Sequence, residues 1–207
     1  FQPEPLLVTA IVVALLAIAV DDDHPTRKTA VLTVIAGGFA IFVKAPAACF
    51  ILPVLVALTV RRRGWRCLRT PRFLSILGGM LVPALVFNLL GLLVICFLAD
   101  RTGNYVFPHL LTDSWFWTSW WFQIETTIGT ALVAVAGVGA IVARGRRQIV
   151  ILMVAAGYAS YGVVFTWNFA THSYYHLTLL IPVAIGVAAA VDWAVTAAGA
   201  SRGDIAR

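Results

Sequence analysis

Few residues in this chain could do chemistry, and they fall into three short stretches. Lys44 stands in Phe42-Val43-Lys44-Ala45-Pro46, in the middle of a long apolar run. An amine there is either a snorkelling interfacial lysine or the cation of an anion site on a turn between two helices. A helix starting near Ala47 would aim its N-terminal amides at the same anion. The second stretch is Trp167-Asn168-Phe169-Ala170-Thr171-His172-Ser173-Tyr174-Tyr175-His176. Histidine binds phosphate, moves protons or ligates metals, whereas tyrosine anchors at an interface or packs on a sugar ring. His172 and His176 are four apart and would share a face in an α-helix. A zinc site needs at least a third ligand, and none stands nearby in sequence. The third stretch, Asp100–Glu125, is aromatic: Tyr105, Phe107, Trp115, Phe116, Trp117, Trp120, Trp121 and Phe122. It reads as a short helix lying at the headgroups, or as a platform over a lipid-linked or sugar substrate.

What positions these stretches is a membrane. Of 207 residues, 61% are hydrophobic and 12% charged, and the mean hydropathy is +0.92. Soluble domains carry about 25% charged residues. In hydrocarbon every backbone N–H and C=O must be paired within the chain, which leaves helices or closed barrels. The apolar runs are long and lack strict alternation, so the expected class is an all-α polytopic transmembrane bundle. The net charge of +6 and the pI of about 9.7 do not indicate nucleic acid, because the basic residues sit in short clusters between apolar runs. Cys49 and Cys96 fall in apolar runs and Cys67 in a basic loop; they read as small hydrophobes and a loop thiol.

Seven spans are expected: Pro5–Val20, Thr29–Val43, Ala47–Val60, Phe73–Leu98, Thr126–Ala143, Ile149–Thr166 and Leu177–Ala197. The second and third come from splitting Thr29–Val60 at Lys44-Ala45-Pro46, since proline breaks a helix and a mid-bilayer lysine costs about 2.5–3.5 kcal/mol. With seven spans, thirteen of the fifteen Lys and Arg residues fall on one side, leaving Lys44 and Arg101 on the other. Basic loops are cytoplasmic. Lys44 and both aromatic loops are therefore expected on the extracytoplasmic side of an inner (plasma) membrane. Three intramembrane features have structural readings. Asn88 bonds a neighbouring helix, Gly37-Gly38 and Gly78-Gly79 allow close helix contact, and Asp192 pairs with Arg202 or a loop arginine. No P-loop, G-x-S-x-G or H-E-x-x-H motif occurs.

The chain resembles the membrane glycosyltransferases that use polyprenyl-phosphate sugars: glycosyltransferase family 39, with the protein mannosyltransferases and aminoarabinose transferases, of GT-C fold. Three segments carry the likeness. Gln2-Pro3-Glu4-Pro5-Leu6 looks like a segment that opens a mid-chain span. Phe42-Val43-Lys44-Ala45-Pro46 looks like a Lys-x-Pro turn. Thr171-His172-Ser173-Tyr174-Tyr175, followed by Leu180-Ile181-Pro182, looks like a late outer loop and span. The resemblance implies transfer of a hexose or pentose from a polyprenyl-phosphate donor to a glycan, lipid or protein acceptor. It implies that Lys44 contacts the donor phosphate, with His172, Tyr174, Tyr175 and Glu4 around it. It also implies that residues 1–207 are one transmembrane domain, the C-terminal part of a longer protein whose catalytic acid precedes Phe1. No base role is assigned to Glu4, Asp100, Asp113 or Glu125. No metal ligand is assigned, and a divalent cation is left open. The competing reading is a transporter or flippase of lipid-linked or amphiphilic substrates, which would place polar residues and broken helices at mid-membrane.

Overall fold

A computed structural model describes residues 4–93 and 107–205. Gln2, Pro3, Cys96, Asp100, Arg101, Tyr105, Arg207 and the side chain of Arg202 lie outside the described set. Among the described residues the chain is helical and has no strand. The helices are α1 (Glu4–Asp23), α2 (Arg27–Val43), α3 (Ala47–Arg63), α4 (Pro71–Leu93), α5 (Ser114–Thr127), α6 (Thr130–Val142), α7 (Arg146–Val164), α8 (Thr166–Thr171) and α9 (Leu180–Ile205). Three 3₁₀ segments, Trp65–Arg69, Pro108–Thr112 and Ser173–Leu179, join them.

Four segments are long and apolar enough to cross a membrane: Glu4–Asp23, Pro71–Gly91, Arg146–Val164 and Ser173–Ala198. A fifth is reached if α5 and α6, bent by 93° at their junction, form one broken span. Helices α2 and α3 have 17 residues each, a rise of about 26 Å against a hydrocarbon core of about 30 Å. Large apolar side chains face outward on most helices, among them Leu16, Leu32, Ile35 and Phe87, as lipid contact requires. This is a membrane protein.

Local chemistry sets the breaks. Pro25 ends α1, and Thr26 opens α2 with a reciprocal cap: Thr29 N–H donates to Thr26 Oγ1 (3.1 Å) and Thr26 N–H to Thr29 Oγ1 (2.9 Å). Helix α2 ends at Lys44 in extended backbone, and α3 restarts after Pro46. Lys44 pairs with Glu4 at the start of α1, while Arg62 near the end of α3 faces Asp22 at the end of α1. The chain therefore reverses at Lys44-Ala45-Pro46, and a single span over 29–60 does not occur. At the α5–α6 corner Gly129 takes φ +89, and Glu125 Oε2 accepts from Thr130 N–H at 2.9 Å. A helix perpendicular to α6 lies in the membrane plane if α6 runs along the normal.

The bundle has two unlike ends. One gathers ion pairs: Arg72 Nη2 to Asp21 (2.5 Å), Arg62 Nη1 to Asp22 (3.8 Å), Arg146 to Asp23, and Arg147 Nη1 to Asp192 (2.8 Å). Asp192 thus pairs with Arg147, the second residue of α7. Exposed pairs of this kind contribute about 0–1 kcal/mol each, so they orient helix ends more than they stabilise the bundle. The other end holds Glu4, Lys44 and the tyrosines.

Between the ends, helices approach closely through glycine, since lipid tails provide no hydrophobic drive for apolar helices to associate. A methyl group on Gly139 of α6 would overlap the carbonyl of Gly186 on α9, and one on Gly157 of α7 would overlap the Cys49 carbonyl on α3. Gly37, Gly38 and Gly79 lie at the α2–α4 contact. Gly78, contrary to the sequence expectation, faces open space, where an added methyl would meet nothing within 4 Å. Asn88 also departs from expectation: it is exposed and donates to Ala84 O of its own helix at 2.7 Å. The loop thiol Cys67 is buried and donates to Thr59 O at 3.5 Å. Gly139→Ala and Gly157→Ala should each lower stability by about 1–3 kcal/mol in reversible mixed-micelle unfolding, whereas Gly137→Ala, which meets open space, should be neutral.

Candidate functional site

Four elements build the site. The first turn of α1 contributes Glu4, the α2–α3 turn contributes Lys44, and the end of α7 with the 3₁₀ segment contributes Tyr161, Tyr174 and Tyr175. Lys44 Nζ lies 2.6 Å from Glu4 Oε1. The same ammonium stands 4.3 Å from the centroid of the Tyr175 ring and 6.0 Å from that of Tyr161. A cation over an aromatic face is attracted by the ring quadrupole. Tyr174 and Tyr175 lie side by side, centroids 4.8 Å apart, and His172 meets both edge-on at 5.2 and 6.1 Å. Asn168 Nδ2–H donates to Tyr175 Oη at 3.0 Å. The structure thus brings Glu4, Lys44 and Tyr175 into contact, with Tyr174 and His172 at the rim.

Burial gives the group its character. Glu4 is 2% exposed and Tyr161 1%, while the Lys44 side chain keeps 21%. Glu4 Oε2 and Tyr161 Oη are buried without a hydrogen-bond partner among the described residues; Thr127 Oγ1 is the third such atom. Buried polar groups are nearly always partnered, so two such orphans near one lysine make this the most unusual polar cluster among the described residues. The ammonium has three N–H donors, of which Glu4 takes one. Lys44 can therefore hold a second anion from its exposed side without releasing the first.

Two expectations about this site do not hold. The amides at the start of α3 are not free for an anion: Ala47 N–H donates to Lys44 O (2.9 Å), Ala48 N–H to Ala45 O (3.0 Å) and Cys49 N–H to Pro46 O (3.0 Å). The turn uses its own carbonyls to close the helix start. Nor do His172 and His176 share a face. His172 lies in extended backbone (φ −131, ψ 113) and the chain from Ser173 is 3₁₀, so no α-helical turn joins the two residues. His172 sits at the rim, its Nδ1 2.6 Å from Thr171 Oγ1, while His176 is fully buried. Among the described residues no three His, Cys, Asp or Glu side chains converge on a metal position.

His176 belongs to a buried relay that the sequence did not disclose. Its Nε2 lies 2.9 Å from Phe169 O, an acceptor only, so Nε2 carries the proton. Its Nδ1 then accepts from the Tyr158 hydroxyl at 2.5 Å, and Tyr158 Oη accepts from Trp120 Nε1–H at 2.8 Å. The relay pins α5, α7 and the 3₁₀ segment together, and so fixes the backbone that carries Tyr174 and Tyr175. Phe116, Trp120 and Ile124 give α5 its buried stripe, while Trp115, Trp117, Trp121 and Phe122 remain exposed. Asp113 and Glu125 are spent on caps, Asp113 Oδ1 accepting from Trp115 N–H at 2.8 Å. Among the described acids, Glu4 is the one that reaches Lys44.

No family profile, curated protein or solved structure matches the chain. Tyr158→Phe removes the link between Trp120 and His176 and leaves both without their buried partner. It should cost about 1–3 kcal/mol in mixed-micelle unfolding, while Ser160→Ala, on the exposed face of α7, should cost much less.

Proposed function

We propose that the chain is part of a polytopic membrane glycosyltransferase with a GT-C-like arrangement of seven spans. It moves a sugar from a polyprenyl-phosphate donor to an acceptor at the extracytoplasmic face. In this reading α2, α3 and α6 are short spans that meet a locally thinned bilayer or stand with little tilt. The arginine-bearing end then faces the cytoplasm.

The observation that carries the reading is Lys44, which is held by a buried carboxylate, lies over a tyrosine ring and keeps part of its surface open. Breaking the bond between sugar and polyprenyl phosphate leaves negative charge on the departing phosphate oxygen. A fixed ammonium aimed at that oxygen stabilises the charge as it develops, without reorganising at that moment. Glu4 positions the amine, and the rings of Tyr174, Tyr175 and His172 offer flat faces to the sugar. The tryptophans of α5, in the membrane plane, suit the headgroup level where such a donor lies. Support against the flippase reading comes from the same placement, since these polar groups gather at one end of the bundle instead of at mid-span.

In the full-length protein, Lys44→Ala should lower transfer of labelled sugar from a polyprenyl-phosphate donor about 100- to 1,000-fold in membranes. Unchanged transfer would overturn the phosphate role. Translocation of labelled donor across proteoliposomes with no transfer would favour the flippase.

A further inference from the structure

The arginine-bearing end holds a second feature, independent of the proposed reaction. Helices α2 and α4 both start there and run parallel, with Arg27 the first residue of α2 and Arg72 the second of α4. They pack closely further along, where Gly37 and Gly38 meet Met80 and Gly79 meets Val34. Nearer the arginine-bearing end an open groove of about 650 Å³ lies between them. Arg27, Arg72 and Ser75 line its mouth, and Val31, Val34 and Ile76 its length.

The two mouth arginines differ. Arg72 gives Nη2 to Asp21 Oδ1 and to Thr26 O. Arg27 is exposed and has no acidic partner among the described residues, and the same holds for Lys28 beside it. Two parallel helix N-termini add positive potential at this point. Orientation of the chain needs only net positive charge in the loop. It does not need a cationic mouth that continues into an apolar channel between two spans. A free phosphate would use the mouth alone, and a neutral lipid the channel alone.

We propose that this groove seats an anionic phospholipid, its phosphate at Arg27 and one acyl chain along Val31, Val34 and Ile76. Native mass spectrometry tests it on the full chain in mild detergent, titrated with phosphatidylglycerol or phosphatidylcholine of matched chains. The proposal expects phosphatidylglycerol to be retained about tenfold better, and Arg27→Gln to lower its retention about fivefold. Val31→Trp, which fills the channel and leaves Arg27 in place, should lower retention at least as much. Arg147→Gln, at the Asp192 pair between α7 and α9, should leave retention unchanged. The wild-type chain gives a reading that needs no variant: retention should fall in high salt and should resist competition by glycerol phosphate. Equal retention of the two lipids would overturn the proposal. So would indifference to Val31→Trp, or an Arg147→Gln loss as large as that of Arg27→Gln.

Discussion

The ion pair between Glu4 and Lys44 is the constraint on which the arrangement of this end of the protein turns. Taking either charge out of water alone costs several kcal/mol, and removing one member of a buried pair strands the other. Each member therefore dictates the position of its partner's helix. Glu4 must start α1 where Lys44 ends α2, which forces α1 and α2 into antiparallel register. Pro46 then lets the chain reverse into α3 at that level. The Tyr175 ring covers the ammonium from a third direction, so the segment between α7 and α9 is drawn to the same place.

The rest of the bundle serves that convergence from a distance. Gly139 against Gly186 and Gly157 against Cys49 set how near α6 lies to α9 and α7 to α3. The relay from Trp120 through Tyr158 and His176 to Phe169 O then fixes the short 3₁₀ segment beneath Tyr174 and Tyr175. At the opposite end, Asp21, Asp22 and Asp23 each take an arginine from a different helix. The charged residues of the two ends do not mix, because a side chain at mid-span would sit in hydrocarbon without a partner.

Much of this is legible in the residues. A lysine followed two residues later by proline in an apolar run favours a turn over an unbroken helix, and the chain turns there. The aromatic stretch before α6 reads as a helix in the membrane plane, and α5 meets α6 at 93°. What escapes sequence reading shares one cause. When nearly every position in a span is apolar, periodicity no longer says which face meets protein, so Tyr158 and Tyr161 pass as ordinary span residues despite their i, i+3 spacing. The partner of Lys44 lies 40 positions away, and no local pattern announces it. His172 and His176 mislead because a 3₁₀ turn and an α-helix look alike in so short a stretch. The α3 amides mislead because the turn's own carbonyls reach them first. The aspartates that end α1 go unnoticed because charge counting for orientation weighs only lysine and arginine.

The central claim is that Lys44 and the tyrosine loop share one membrane face, opposite the arginines. Single cysteines at positions 45, 172 and 63, in a background with Cys49, Cys67 and Cys96 replaced, can be labelled in intact cells by a membrane-impermeant thiol reagent. Positions 45 and 172 should label from outside, and position 63 only after the membrane is opened. Labelling of 45 and 172 from opposite sides would contradict the account.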